Sequence, residues 1–207
     1  NEDFAFPIPE NFTDAQAAPL LCAGVIGYRA LRLSGLEPGK TLGLYGFGAS
    51  AHIAIQVAKY WGCQVFVFSR KAHGDHRDLA IKLGADWVGA TKDTPPERLD
   101  CAIDFTPAGE PVRQALRNLE KGGRVVVNAI RKSDLIPELE YTEHLWHEKE
   151  LISVANVTRQ DVLDFLPLAA EIGIEPEVQG YRIEQANQAL AMLKQGIIRG
   201  AGVLLIS

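Results

Sequence analysis

Apolar and polar positions along this chain follow two periods, and the switches between them mark the elements. Short, nearly continuous β-branched runs predict strands at 41–45, 64–68, 87–88, 99–105 (LDCAIDF), 124–128 (RVVVN) and 151–154 (LISV). Segments with helical spacing between and after them predict helices at 50–61, 76–83, 110–119 and 160–171. Strands without polar alternation suit a parallel sheet covered on both faces. Strand–helix alternation of this kind implies right-handed crossovers and an α/β, doubly wound parallel sheet.

The two ends depart from that rhythm. Residues 1–12 form an extended lead-in, because Pro7 and Pro9 disfavour helix. Thr13 or Asp14 can N-cap a helix that begins around Ala15. The small apolar run from Ala17 to Gly24 is expected to be buried. A second helix, Tyr28 to Leu33, ends near Gly35. At the other end the pattern predicts a strand at 177–181, a helix at 184–194 closed by Gly196, and a strand at 203–206. No internal repeat or low-complexity stretch interrupts the chain.

The junction of the first strand and helix carries the clearest chemistry. The strand runs into Gly46-Phe47-Gly48-Ala49-Ser50-Ala51, and helical spacing resumes at once. In a turn of this kind the first glycine lets the chain reverse and the second lets backbone approach a pyrophosphate. The small Ala51, in the third slot, allows close helix–strand packing. The free N–H groups of the new helix, with its dipole, favour an anion. A bare glycine-rich turn with no ligand is the competing reading.

The end of the second strand bears on which dinucleotide would bind. An acid roughly 20 positions after the glycines would serve the ribose hydroxyls of NAD. The chain instead reads Phe68-Ser69-Arg70-Lys71. Ser69 and Arg70 are read as holders of a 2′-phosphate, with the guanidinium as a forked partner, which tilts the expectation from NAD toward NADP. The alternative is a solvated Arg-Lys face. The later strand ends, Phe105-Thr106-Pro107, Asn128-Ala129-Ile130 and Ala155-Asn156, border the crevice where such sheets bind ligands, so Thr106, Asn128 and Ala129 are expected at the cofactor.

Composition narrows the remaining classes. The net charge of −5, without a basic patch, argues against nucleic acid or an anionic membrane surface as partner. No apolar run approaches the roughly 18 residues of a spanning helix. The polar, acidic start has no signal-peptide character. Three cysteines without close pairing fit a reducing compartment, hence a cytoplasmic expectation. Taken alone, Cys22, Cys63 and Cys101 each read as small buried hydrophobes. His144-x-x-His147 with Glu143 and Glu148 offers too few ligands for a metal and reads as a solvated stretch. His52 is expected to support or pack under the glycine turn, and His73 and His76 to flank Gly74 in an exposed loop.

Several ordered motifs together resemble the C-terminal part of zinc-dependent alcohol dehydrogenases of the medium-chain dehydrogenase/reductase superfamily. They are AAPLLCAGVIGYRAL (17–31), GFGASAHIAIQVAK (46–59), LAIKLGAD (79–86), KGGRVVV (121–127) and GIIRGAGVLLI (196–206). The resemblance implies a Rossmann fold over 31–156. It implies flanking segments, 1–30 and 157–207, that pack partly against a catalytic domain lying upstream. It makes Cys22 a catalytic zinc ligand and Arg199 a contact of the cofactor pyrophosphate. It further implies hydride transfer between NAD(P)(H) and a small alcohol or carbonyl substrate, in a dimer or tetramer, with this stretch alone inactive. Two departures stand out. Ala49-Ser50-Ala51 replaces part of the usual G-x-G-G-x-G-H, and Ile26 stands where many relatives have threonine. A zinc-free quinone or enoyl reductase, against which Cys22 counts, and a non-catalytic dinucleotide-binding module are the alternatives.

Overall fold

The computed structural model describes residues 1–70 and 75–206. Lys71, His73 and Gly74, named above, lie outside the described residues. Six parallel strands form one sheet: β1 (Thr41–Tyr45), β2 (Gln64–Ser69), β3 (Trp87–Ala90), β4 (Leu99–Asp104), β5 (Leu119–Val127) and β6 (Glu150–Ser153). Their order is β3-β2-β1-β4-β5-β6. The chain therefore builds outward from β1, then returns to β1's other side and builds the opposite way. This is the doubly wound arrangement expected from the sequence, and its direction changes between β1 and β4.

Alternate side chains along each strand sort onto two faces. Leu42, Leu44, Val65, Val67, Cys101, Ile103 and Val126 join one buried cluster. Its helices are α2 (Val25–Ser34), α3 (Ala49–Tyr60), α4 (Asp75–Lys82) and α7 (Arg159–Ile172). Tyr45, Phe66, Phe68, Leu99, Ala102 and Val125 face the other way, against α5 (Glu110–Asn118). Both faces being apolar explains why the strands read as continuous hydrophobic runs. Within the second face Tyr45 and Phe68 stack with centroids 4.1 Å apart, and Asn118 donates to the Tyr45 hydroxyl at 2.9 Å. That bond satisfies a phenol that burial would otherwise leave unpaired.

Three elements differ from expectation. The two N-terminal helices are one helical run: α1 (Asp14–Pro19), a π-helical turn at Leu20–Gly24, then α2. Pro19 lacks an N–H and crowds the preceding turn, so the bonding widens instead of stopping. Because the run stays helical, one side of it faces outward. Ala17, Pro19, Leu20 and Gly24 are buried, whereas Ala18, Leu21 and Cys22 are exposed. The expectation of a buried Cys22 is thus corrected, while Cys63 and Cys101 are buried. Burial also pushes the Cys101 thiol up to about 12. His76 belongs to the first turn of α4 and is half-buried, not in an exposed loop. Finally, β5 begins at Leu119, and its pairing with β4 slips between Leu99 and Cys101 to accommodate Gly122-Gly123.

A short helix, α6 (Tyr141–His144), precedes β6. After α7 the chain forms β7 (Val178–Arg182), α8 (Ala186–Gln195) and β8 (Ala201–Leu205). β7 and β8 pair in parallel as a separate two-stranded sheet. No helix among the described residues is long and apolar enough to cross a membrane.

Candidate functional site

The carboxyl ends of β1, β2, β4 and β5 lie side by side, since Tyr45 pairs with Phe68 and Asp104, and Asp104 with Val127. The residues singled out from the sequence therefore gather along one sheet edge. Gly46 follows β1 with φ of +84°, and its N–H donates to the Phe68 carbonyl at 2.7 Å. A Cβ there would meet Thr106 Cγ2 at 2.8 Å, so the turn requires glycine for conformation and for space. Gly48 contrasts with it. Its φ is −110°, it is exposed, and a Cβ there would meet nothing within 4 Å.

Gly48 is the N-cap of α3, and no side chain caps that helix. Its first N–H groups, at Ala49, Ser50 and the buried Ala51, are those a helix leaves without internal partners. Positive helix-end potential and open space thus coincide at the point where the sheet changes direction. Helix α2 comes close to the same turn: a Cβ on Gly27 would lie 3.1 Å from the Ser50 carbonyl. Asn128, just beyond β5, donates Nδ2–H to the Ile26 carbonyl at 3.4 Å and its backbone N–H to the Asp104 carbonyl at 2.8 Å. The helical run bearing Cys22 and Ile26 is in this way fastened to the strand-end edge, with Ala129 half-buried beside Asn128.

Ser69 ends β2 and is buried, whereas the next residue, Arg70, is exposed. Arg70 lies against the end of α8, its Nη2 being 3.7 Å from where a Gly196 Cβ would stand. Among the described residues Arg199 makes no hydrogen bond or ion pair with the glycine turn itself. Its Nε lies 3.2 Å from Glu177 Oε1 without the alignment of a hydrogen bond. The Glu177 N–H in turn donates to His52 Nε2 at 3.2 Å. His52 is fully buried and also contacts the Gly48 carbonyl through Nδ1 at 3.3 Å. Burial holds its pKa below the ordinary histidine value, so the ring is kept neutral, although the Gly48 carbonyl pulls the other way.

Two groups escaped the sequence reading. Asp104, at the end of β4, is completely buried and accepts from the Thr106 N–H at 2.9 Å and hydroxyl at 2.7 Å. Lys132 pairs with the same carboxylate and donates to the Thr106 and Ala108 carbonyls at 2.8 and 2.9 Å. This knot places Thr106 against Gly46. The second acid of LDCAIDF, set between the apolar Ile103 and Phe105, was the available signal, because a buried charge requires a partner; nothing in spacing pointed to Lys132. Among the described residues His147 joins no group of three or more possible metal ligands. Among the described residues, the group able to gather around an ion is Glu140, Glu143 and His144, and Glu143 is already paired with Arg117 at 2.8 Å. No such group includes Cys22.

Strand order, a glycine turn at the point of reversal and an uncapped helix behind it define a Rossmann-type α/β domain. The chain belongs to the zinc-binding dehydrogenase family, whose pattern matches residues 51–171. It is 45% identical over 203 residues to the probable alcohol dehydrogenase AdhA of Mycobacterium tuberculosis, covering 98% of this chain and 58% of that protein. Among solved structures it resembles a cinnamyl alcohol dehydrogenase from Sorghum bicolor, with 30% identity and a TM-score of 0.88. The match covers 99% of this chain and 59% of that one. Two further structures share the fold. The enzyme CAD of Helicobacter pylori, complexed with NADP(H), has a TM-score of 0.87 at 23% identity, covering 98% and 58%. Acetophenone reductase of Geotrichum candidum, in complex with NAD, has 0.85 at 22%, covering 96% and 58%. The chain thus spans about three-fifths of the length of the proteins it matches.

Proposed function

We propose that this chain is the cofactor-binding part of an alcohol dehydrogenase or aldehyde reductase, with a dinucleotide pyrophosphate seated on Gly46–Ser50. The observation that carries this reading is the uncapped first turn of α3 behind Gly48, open where a side chain would stand, at the switch point of the sheet. Gly46 shapes the turn, Gly48 admits the pyrophosphate, and the Ala49 and Ser50 amides donate to it. Thr106, Asn128 and Ala129 border the nicotinamide half. Ser69 and Arg70 border the adenosine half, where the absence of an acid favours NADP over NAD. Arg199 adds positive charge from the C-terminal segment.

Cys22 suits a metal ligand better than a core residue, since its thiol is exposed on a π-helical turn, a feature frequent at functional sites. It offers one thiolate. A zinc held there would take its remaining ligands from outside the described residues. When bound, the nicotinamide carries hydride, and zinc acts as a Lewis acid on an alcohol or carbonyl oxygen. What this chain contributes is orientation: α2, tied to Asn128 and packed on Ser50, sets Cys22 relative to the glycine turn.

The test is titration of the chain with NADPH and NADH. Gly48→Ala is expected to melt like the parent yet to weaken both dinucleotides by tenfold or more, about 1.4 kcal/mol. Arg70→Ala is expected to remove an NADPH advantage of roughly tenfold while leaving NADH unchanged. Undiminished binding by Gly48→Ala would overturn the pyrophosphate seat. Equal affinities of the parent for the two dinucleotides would overturn the choice of NADP.

A further inference from the structure

One buried imidazole joins the first turn of α3 to the start of the C-terminal segment. A backbone N–H only donates, so His52 Nε2 accepts from Glu177 and the ring proton sits on Nδ1, which donates to Gly48. The Gly48 carbonyl therefore accepts twice, from the ring and from the His52 N–H at 3.1 Å. A trans peptide sets its C=O and N–H in opposite directions. Drawing the Gly48 carbonyl into the helix consequently aims the Ala49 N–H out of it, toward the open side of the turn.

The seam continues one turn further along α3. Gln56 accepts from the Glu175 N–H at 2.9 Å and donates to the Glu175 carbonyl at 3.2 Å. The Glu177 carbonyl then receives the Ala201 N–H at 2.8 Å, which anchors the start of β8, while the Glu177 carboxylate faces Arg199. Gly48, His52, Glu177 and Arg199 thus form one continuous chain of polar contacts across two parts of the molecule.

We propose that His52 is a positioning residue for dinucleotide binding. It fixes the Gly48–Ala49 peptide so that its N–H faces the pyrophosphate, and it registers the segment bearing Glu177 and Arg199 on the same turn. The inference rests on the reading of Gly46–Ser50 as the pyrophosphate seat.

Three substitutions separate its two bonds. His52→Asn keeps a donor near the Nδ1 position but offers nothing to Glu177. His52→Gln carries an acceptor out toward Glu177 but loses the Gly48 bond. His52→Leu loses both. Each variant of the full chain is titrated with NADH and with adenosine, and hydrogen exchange of the Glu177 amide is followed. His52→Leu is expected to weaken NADH roughly tenfold, leave adenosine unchanged and accelerate Glu177 exchange. His52→Asn should recover NADH affinity to within about threefold while Glu177 exchange stays fast, and His52→Gln should restore slow exchange.

The proposal is overturned if folded His52→Leu binds NADH as the parent does. It is overturned equally if adenosine binding falls in step with NADH, or if all three variants lose affinity, protection and melting temperature alike, as a packing role would give. A parent chain that binds neither NADH nor NADPH would instead sink the pyrophosphate seat, and the positioning role with it.

Discussion

The six-stranded sheet and the small β7–β8 sheet are both parallel but end in different states. In the large sheet both faces are covered by helices, and strand residues such as Leu42, Leu44, Val65, Val67 and Ile103 are completely buried. The small sheet buries a cluster of three residues, Tyr181, Ala189 and Ile198. Around it Leu190, Leu193, Ile197, Leu205 and Ile206 stay exposed. The difference teaches where each region gets its stability. The first is covered by helices on both faces, whereas the second has a small core, lies beside α1 and is joined to α3 by polar ties of His52 and Gln56 to Glu177 and Glu175.

That contrast can be broken first at its strongest point. Asp104→Ala leaves Lys132 without its carboxylate and Thr106 without two bonds beneath the glycine turn. Removing one partner of a buried ion pair should lower unfolding free energy by about 3 kcal/mol in denaturant melts. A loss below about 1 kcal/mol would mean that the knot is not a structural keystone of the sheet edge.

Acid should act on the seam between the two regions. His52 is held neutral, so the unfolded chain takes up a proton before the folded one does. Its contribution is fully present above the ordinary histidine value of 6.5 and declines as pH falls below it, flattening once the folded ring protonates. The slope stays under about 1.4 kcal/mol per pH unit for one proton. Asp161 departs in the same direction but lower, below the ordinary 3.8, because its bonds to Thr158 and Arg29 outweigh burial. Comparing stability from pH 7 to 5 in the parent and in His52→Gln isolates the histidine, and identical curves would deny it the role of seam.

The smallest effect is expected in the exposed apolar region. Leu193→Ser should change stability by no more than about 0.5 kcal/mol, since that side chain is 62% exposed. A larger loss in thermal melts would show that α8 is better supported than its surface suggests.

Much of the large sheet was legible in the sequence because strand–helix alternation and buried parallel strands leave a local record. Leu42-Gly43-Leu44 and Val65-Phe66-Val67 announce strands without reference to partners. Gly46 and Gly48 were legible too, as a glycine pair between a strand and a helix. Other features had no such record. Proline at position 19 signals an interruption, but not whether the chain answers with a loop or a π-helical turn, and that choice put Cys22 on the surface. The Asp104–Lys132 pair joins residues 28 apart through a strand end, and His52 reaches Glu177 over 125 residues.

The sequence alone determined the periods, the order of elements and the glycine turn that follows the first strand, because these follow from steric and hydrophobic rules acting over a few neighbours. Tertiary structure decided which glycine is closed and which is open, which cysteine is exposed, and which charges are held. Those properties belong to the space between elements, where burial turns an isolated donor or charge into a costly one and so selects its partner.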